Sequence, residues 1–335
     1  LEDLDIRVTG RAGRITLTRE KALNALTHDM ANAVLDALTN WRDDPSVSLV
    51  IMDAKGERAF CAGGDIAAVY HAGRAGDHQV GRDFFRDEYQ MNAAIADYPK
   101  PVVAFMQGFV MGGGVGLGGH ASHRIIGETT RIAMPESGIG LIPDVGGTWL
   151  LGRAPGRIGE YLALTGMRMG PGDAIHAGFA DTYLPEDRWP ALIDALQDSG
   201  DIALIKGTEA PAAALQGRDL SAFGGRHVAD ILDALRIAGD SESLTALERN
   251  SPLSMAAALV MVRAARGDLR IQESLSREYR FTARATQHSD FLEGVRAQII
   301  DKDRSPKWAA ETTTQAVQDI LAPLGPDEMT WENME

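Results

Sequence analysis

The sequence predicts an α/β fold with a helical C-terminal region, and three observations carry that reading. Short apolar runs of strand length alternate with amphipathic helical stretches through the first half. Two of these runs end in glycine-rich turns, around Gly63-Gly64 and Gly112–Gly114. From Asp181 onward the pattern turns helical. We therefore expect residues 1–190 to form a core that carries the site. Residues 191–335 should form a helical region packed on it, not an independent module.

In chain order, Ile6–Val8 and Arg14–Thr18 alternate with period two and read as strands. Thr27 is placed to cap a helix with Met30, Val34, Leu38 and Trp41 on one face. Val47–Met52 is an apolar run suited to a buried strand, and Pro101–Met106 and His123–Gly127 repeat the pattern. Across His78–Asp97, Phe84, Met91 and Ile95 share a helical stripe, and Glu88 falls inside it. An acid on an apolar face is costly unless it is paired or set in a cleft. Glu88 is thus either a structural ion-pair partner or a functional acid. Residues 187–250 read as helices with weak linkers at Gly200, Gly207, Gly217 and Gly224-Gly225, ending at Asn250-Ser-Pro252. Helices over 253–266 and 271–285 follow. Asp290 and Glu293 then have the spacing of a capping box.

The composition narrows the partners. The 335 residues are 44% hydrophobic with net charge −14 and no basic block, which argues against nucleic acid or an anionic membrane. No apolar run reaches the roughly 18 residues of a membrane span. Cys61 is the only cysteine, so there is no internal disulfide, and a reducing compartment fits. No HExxH, GxSxG, CxxC or GxxxxGK[ST] pattern occurs, so neither a metal nor a serine or cysteine nucleophile has support. His120 and His123 flank a helix end and read as structural or surface residues. The densest basic cluster, Asp301-Lys-Asp-Arg-Ser-Pro-Lys307, is either a solvated turn or a contact for a polyanionic small molecule.

The stretch Gly108–His120 is the centre of the sequence. Gly114–Gly119 formally matches GxGxxG after a strand, but a dinucleotide fold needs a ribose-binding acid at a strand end about 20 residues on. Glu136 has the spacing yet lies in a Pro/Gly loop, so that reading is set aside. Glycines at 112–114 let another group approach the backbone closely. Together with Gly63-Gly64 they could offer two N–H groups to one oxygen. The loop Ala133–Thr148 carries Glu136 and Asp144, and such loops on a rigid scaffold are where catalytic groups sit. The competing reading is that both acids cap or bridge local turns.

These segments together resemble the crotonase (enoyl-CoA hydratase/isomerase) superfamily. The resemblance rests on Lys21–Leu26, Ala59–Asp65, Gly112–Gly114, Met134-Pro-Glu136 and Gly146-Gly-Thr148, and it covers most of residues 5–185. Phe84–Tyr89, Pro143–Gly147, Leu162–Gly166, Glu293–Arg296 and Asp301–Trp308 look like its 3-hydroxyisobutyryl-CoA hydrolase branch. The resemblance implies a crotonase-like spiral of ββα units. It also implies an acyl-CoA thioester whose carbonyl oxygen sits between the N–H groups of Gly64 and Gly113.

The acids decide the reaction. Hydratases of the superfamily use two glutamates, one matching Glu136 and the other at the position held here by Gly116. This chain instead has Glu88 and Asp144, the set of the hydrolase branch. The implied reaction is hydrolysis of a short branched 3-hydroxyacyl-CoA, foremost 3-hydroxyisobutyryl-CoA in valine degradation. Glu136 is expected as nucleophile or general base, Gly64 and Gly113 as oxyanion donors, Asp144 on the 3-hydroxyl or assisting proton transfer, and Glu88 orienting water or the acyl group. CoA is expected along Lys21, Ala22, Leu23 and the turn Ala62, Gly63, Gly64, Asp65, Ile66, with its phosphates on Lys302 and Lys307. CoA is part of the substrate, and no separate cofactor is expected.

The competing functions are an enoyl-CoA hydratase or isomerase and a non-catalytic acyl-CoA-binding protein. The superfamily's trimers and hexamers suggest a homo-oligomer of that kind or smaller, unless the longer C-terminal region covers the site within one chain. The expected compartment is the cytoplasm, or the mitochondrial matrix where a leader has been removed.

Overall fold

The alternation in the first residues produces a hairpin. In the computed structural model, which describes residues 2–310 and 312–331, β1 (Leu4–Thr9) and β2 (Ala12–Leu17) pair antiparallel with Ile6 opposite Ile15. β3 (Leu49–Ala54), β5 (Val102–Met106), β7 (His123–Ile126) and β9 (Thr182–Tyr183) extend the sheet in parallel, in the order β1-β2-β3-β5-β7-β9. β5 is buried along its whole length, as a parallel strand covered on both faces must be. A second, three-stranded parallel sheet is formed by β4 (Ala59–Cys61), β6 (Phe109–Met111) and β8 (Arg131–Ala133), in that order.

Each strand of the small sheet follows one of the large sheet: β3 leads to β4, β5 to β6 and β7 to β8. A helix comes after each pair, which gives the expected spiral of ββα units. The helix His28–Trp41 begins at Thr27, whose hydroxyl accepts the Met30 N–H at 3.2 Å, and Met30, Val34, Leu38 and Trp41 are all buried. Losing that cap would cost about 1 kcal/mol. Helix Gln79–Ala96 buries Phe84, Glu88, Met91 and Ile95 together, as the stripe predicts.

The later residues are less helical than their sequence suggests. Between the helices Trp189–Ser199 and Val228–Ala238 there are only single turns, Ile202–Leu204 and Ser221–Gly224. Ser251 caps the helix Pro252–Ala265 through the Ser254 N–H. The capping box expected at Asp290 is absent. Asp290 instead accepts from Ser251 Oγ and from the Ala309 and Ala310 N–H groups, while Glu293 pairs with Arg296 and takes the Lys307 N–H. Long-range partners outbid the local motif because they also tie down the 301–310 segment.

One buried apolar cluster joins the strands to the later helices. Across it, Phe85 meets Phe291 and Tyr89 meets Tyr279, with ring centroids 6.2 and 6.3 Å apart. A second cluster packs β3, β5 and β7 under the helix Trp189–Ser199. Among the described residues no helix is long and apolar enough to cross a membrane.

Candidate active site

Three loops leave the C-terminal ends of the three adjacent strands of the small sheet, the end of a parallel sheet where ligands collect. Ala62–Gly64 follows β4, Gly112-Gly113 follows β6, and Met134–Glu136 follows β8. With residues from the later helices they enclose a cavity of about 850 Å³.

The two glycine turns meet. Gly63 (φ +122°) and Gly112 (φ +48°) both lie where a side chain is disfavoured. A Cβ placed on Gly113 would fall 3.1 Å from the Gly64 nitrogen, so the two amides are immediate neighbours. Neither the Gly64 nor the Gly113 N–H has an acceptor among the described residues. Two free donors side by side at the cavity wall suit one negatively charged oxygen.

Three acids face this point. Glu88, Glu136 and Asp144 all line the cavity and are 2%, 5% and 4% exposed. Among the described residues, Glu88 Oε1 and Glu136 Oε2 have no hydrogen-bond partner and no cation pairs with any of the three. The ion-pair reading of Glu88 therefore falls. The helix-cap reading of Asp144 falls too, because its Oδ2 accepts the Tyr89 hydroxyl at 2.8 Å. Burial raises all three carboxyls. Glu88 and Glu136 stand well above the usual range, each further raised by Asp144, and Asp144 itself is pushed up to about 7, with the Tyr89 hydrogen bond opposing.

The Asp144 turn is unusual: Val145 has φ +54° and Gly146 φ +76°. His120 Nε2 lies 2.7 Å from the Val145 carbonyl and holds it as donor in the matching tautomer. Burial drops the His120 pKa to about 4, which fits a structural histidine. Gly116 is closed off. A Cβ there would lie 2.6 Å from Asn92 Nδ2 and 2.9 Å from Val145 Cβ, so no acidic side chain fits without repacking. Asn92 is fully buried, and neither amide atom has a hydrogen-bond partner among the described residues.

The expected CoA residues divide. Ala62, Gly63, Gly64 and Ile66 line the cavity. Lys21, Ala22, Leu23 and Asp65 do not; of these, Leu23 and Asp65 help to hold that turn. The Leu23 carbonyl takes the Ala62 N–H at 3.0 Å, Leu26 bonds Gly63 and Asp65 through the backbone, and Asp65 pairs with Arg19. Lys302 and Lys307 are also absent from the wall, where the basic residues are Arg168, Arg249 and Arg304. The 301–305 segment winds around Arg296, which binds Asp301 at 2.7 Å and Asp303 at 2.6 Å, and the left-handed residues Lys302 and Arg304 turn Arg304 to the cavity.

Tyr89, Asn92 and the three arginines had no assigned role in the sequence. Asn92 was within reach, since it follows Glu88 by four residues on the same buried face. The arginines come from separated segments and carry no common signal.

Free paired amides, buried carboxylates and a ββα spiral define a class of acyl-thioester enzymes. The chain belongs to the enoyl-CoA hydratase/isomerase family, whose model matches residues 12–323. Among curated relatives it is 39% identical to the mitochondrial 3-hydroxyisobutyryl-CoA hydrolase of Xenopus tropicalis, covering 93% of this chain and 86% of that protein. The human protein of the same name is 35% identical over 96% of this chain and 87% of its own length. Among solved structures, an enoyl-CoA hydratase from Rhodobacter sphaeroides is 54% identical with TM-score 0.94, covering 98% of this chain and all (100%) of that one. A carnitinyl-CoA dehydratase from Mycobacterium thermoresistibile is 41% identical with TM-score 0.93, covering 99% of both chains.

Proposed function

We propose that the chain hydrolyses the thioester of a short branched 3-hydroxyacyl-CoA, 3-hydroxyisobutyryl-CoA foremost, to the free hydroxy acid and CoA, a step of valine degradation. One observation carries the reading against a hydratase. Glu88 and Glu136 stand beside the paired amides and Asp144 lines the same cavity, while Asn92 and Val145 close the Gly116 position that would hold a hydratase's second acid. The curated relatives' names agree, whereas those of the two solved structures point to addition or loss of water. The same two donors would stabilise an enolate as well as a tetrahedral oxyanion, so the acids must discriminate.

In this reading the carbonyl oxygen accepts from the Gly64 and Gly113 N–H groups. Glu136 either attacks the carbonyl carbon, giving a mixed anhydride that water then opens, or takes a proton from the attacking water. On both routes the C–S bond breaks, and the CoA thiolate leaves with a proton that a neighbouring carboxyl can supply. A carboxyl near neutrality is suited to such transfer, and Asp144 at about 7 is one. Asp144 also receives the 3-hydroxyl, and Glu88 orients water or the acyl chain. Ala62–Gly64 and Ile66 border the thioester end, with the turn held from behind by the Leu23 carbonyl. Arg168, Arg249 and Arg304 serve the CoA phosphates, and the helical part of the chain closes the cavity mouth.

The test is a panel of acyl-CoA and enoyl-CoA thioesters scored for both thiol release and loss of enoyl absorbance. CoA release from 3-hydroxyisobutyryl-CoA is expected. Enoyl loss with no free thiol overturns the reading in favour of a hydratase.

A further inference from the structure

The turn that presents Asp144 is not held by its own sequence. A β-branched residue such as Val145 enters the left-handed region only where its surroundings impose it. The imposing group lies far along the chain: Glu278, fully buried on the helix Ile271–His288. Its Oε2 accepts the Gly146 N–H at 2.8 Å, and its Oε1 accepts the Thr148 N–H at 3.0 Å and the Thr148 hydroxyl. One turn further along the same helix, Thr282 Oγ lies 3.3 Å from the Tyr89 hydroxyl, whose proton goes to Asp144. This helix thus grips the turn through its backbone and, by way of Tyr89, supports the acid itself. Glu278 does not line the cavity.

We propose that Glu278 is a positioning residue. Its carboxyl group holds the 143–148 turn so that Asp144 meets the acyl chain, making the helix Ile271–His288 part of the apparatus that selects a 3-hydroxylated acyl group. This deepens the function proposed above and rests on the role given there to Asp144. Two carboxyl oxygens are required because two backbone N–H groups need acceptors on two different oxygens. A glutamine supplies one oxygen and turns an NH₂ group toward the other donor. The turn then loses one anchor, and misplacing a functional group by about 1 Å can cost roughly 10²-fold in rate.

The experiment compares kcat/KM for 3-hydroxyisobutyryl-CoA and isobutyryl-CoA, read by thiol release, in wild type, Glu278→Gln, Asp144→Asn and Asp268→Asn. Asp268 binds Arg277 and Ser274 at the start of the same helix, so its substitution loosens the helix without touching the turn. Glu278→Gln should lower the ratio of hydroxylated to unhydroxylated substrate by about tenfold or more, through kcat more than KM. Asp144→Asn should do the same, and Asp268→Asn should leave the ratio as in wild type. If Glu278→Gln does not fold, Thr148→Val, which removes one donor to Glu278, is read in its place. A ratio within about twofold of wild type in the folded turn variant, or an equal loss in Asp268→Asn, overturns the proposal while leaving Asp144's role standing. An unchanged ratio in Asp144→Asn overturns both.

Discussion

Gly113→Ala bears most directly on the paired-amide site. The new Cβ would lie 2.7 Å from Glu88 Oε1, 3.1 Å from the Gly64 nitrogen and 3.4 Å from the Gly63 carbonyl carbon. The Glu88 carboxylate can swing aside; the Gly64 amide belongs to the backbone and cannot. The methyl therefore stands between the two donors, where the substrate oxygen should sit. Losing one oxyanion donor costs about 10²–10³ in kcat, roughly 3–4 kcal/mol, and displacing Glu88 adds to that. Stability should fall as well, by about 1–3 kcal/mol, because the buried Glu88 carboxyl must shift and the fixed Gly64 backbone is already tight.

Gly116→Ala, three residues on in the same helix, makes the contrast. Its Cβ would press on Asn92 Nδ2 at 2.6 Å and Val145 Cβ at 2.9 Å. Such overpacking costs about 1–3 kcal/mol and strains the Asp144 turn, leaving the two amides alone. Thiol release at saturating substrate, read beside thermal unfolding, separates the cases. Both variants should lower the midpoint, but Gly113→Ala should lose about 10²-fold or more in kcat and Gly116→Ala much less. A Gly113→Ala enzyme with kcat within about tenfold of wild type would refute the assignment of the oxyanion site.

Four further outcomes follow from the same geometry. Glu136→Gln should lower kcat at least about 10²-fold, and near-normal turnover would remove its role; turnover in ¹⁸O-water labels a Glu136 peptide only on the anhydride route. Burial lifts Glu88 and Glu136 well above the usual range, Asp144 to about 7 and Glu278 to about 8, so the folded chain holds these protons more tightly than the unfolded one. For Asp144 and Glu278 that stabilising contribution is full below the unfolded carboxyl range and is lost as pH rises through about 7 to 8, on the order of 1 kcal/mol per pH unit for each of the two. Asp144→Asn should flatten that limb in urea unfolding, and an unchanged slope would contradict it. Alanine at Arg249 and Arg304 should weaken CoA binding and do so less at high salt, whereas Lys302→Ala/Lys307→Ala should leave it unchanged. Titration calorimetry decides, and the reverse result would restore the lysines. Cys61 is buried with its thiol pushed up to about 12, so iodoacetamide should label it only on unfolding; rapid labelling of the native protein would contradict its placement.

The local signals transferred well where one stretch of chain supplied its own context. The Thr27 cap, the stripe of helix Gln79–Ala96 and the alternating hairpin all follow from side-chain periodicity acting within a few residues. Glu88 illustrates the boundary. Periodicity placed an acid on an apolar face, but pairing and catalysis remained equal until the tertiary structure showed no cation beside it. The capping box at Asp290 does not form because it depends on which distant groups reach that carboxylate, and Ser251 and Ala309 reach it first. Glu278 was open to the test applied to Glu88, since it too is an acid between buried residues, Leu275 and Phe281, on a helix. Its partners, Gly146 and Thr148, lie 130 or more positions away.

By itself, the sequence determined the α/β class, the two glycine turns, the acids of the 133–148 loop and the family, because these are written in local residue types and short motifs. Only the tertiary structure decided that the two turns converge. They stand on neighbouring parallel strands whose pairing is set by long-range hydrogen bonding. It also turned the missing acid at Gly116 into a physical fact, since Asn92 and Val145 fill the space a side chain would need. The strained turn bearing Asp144 belongs to the structure alone, because a left-handed valine is unfavourable in isolation and persists here through groups supplied by His120 and Glu278.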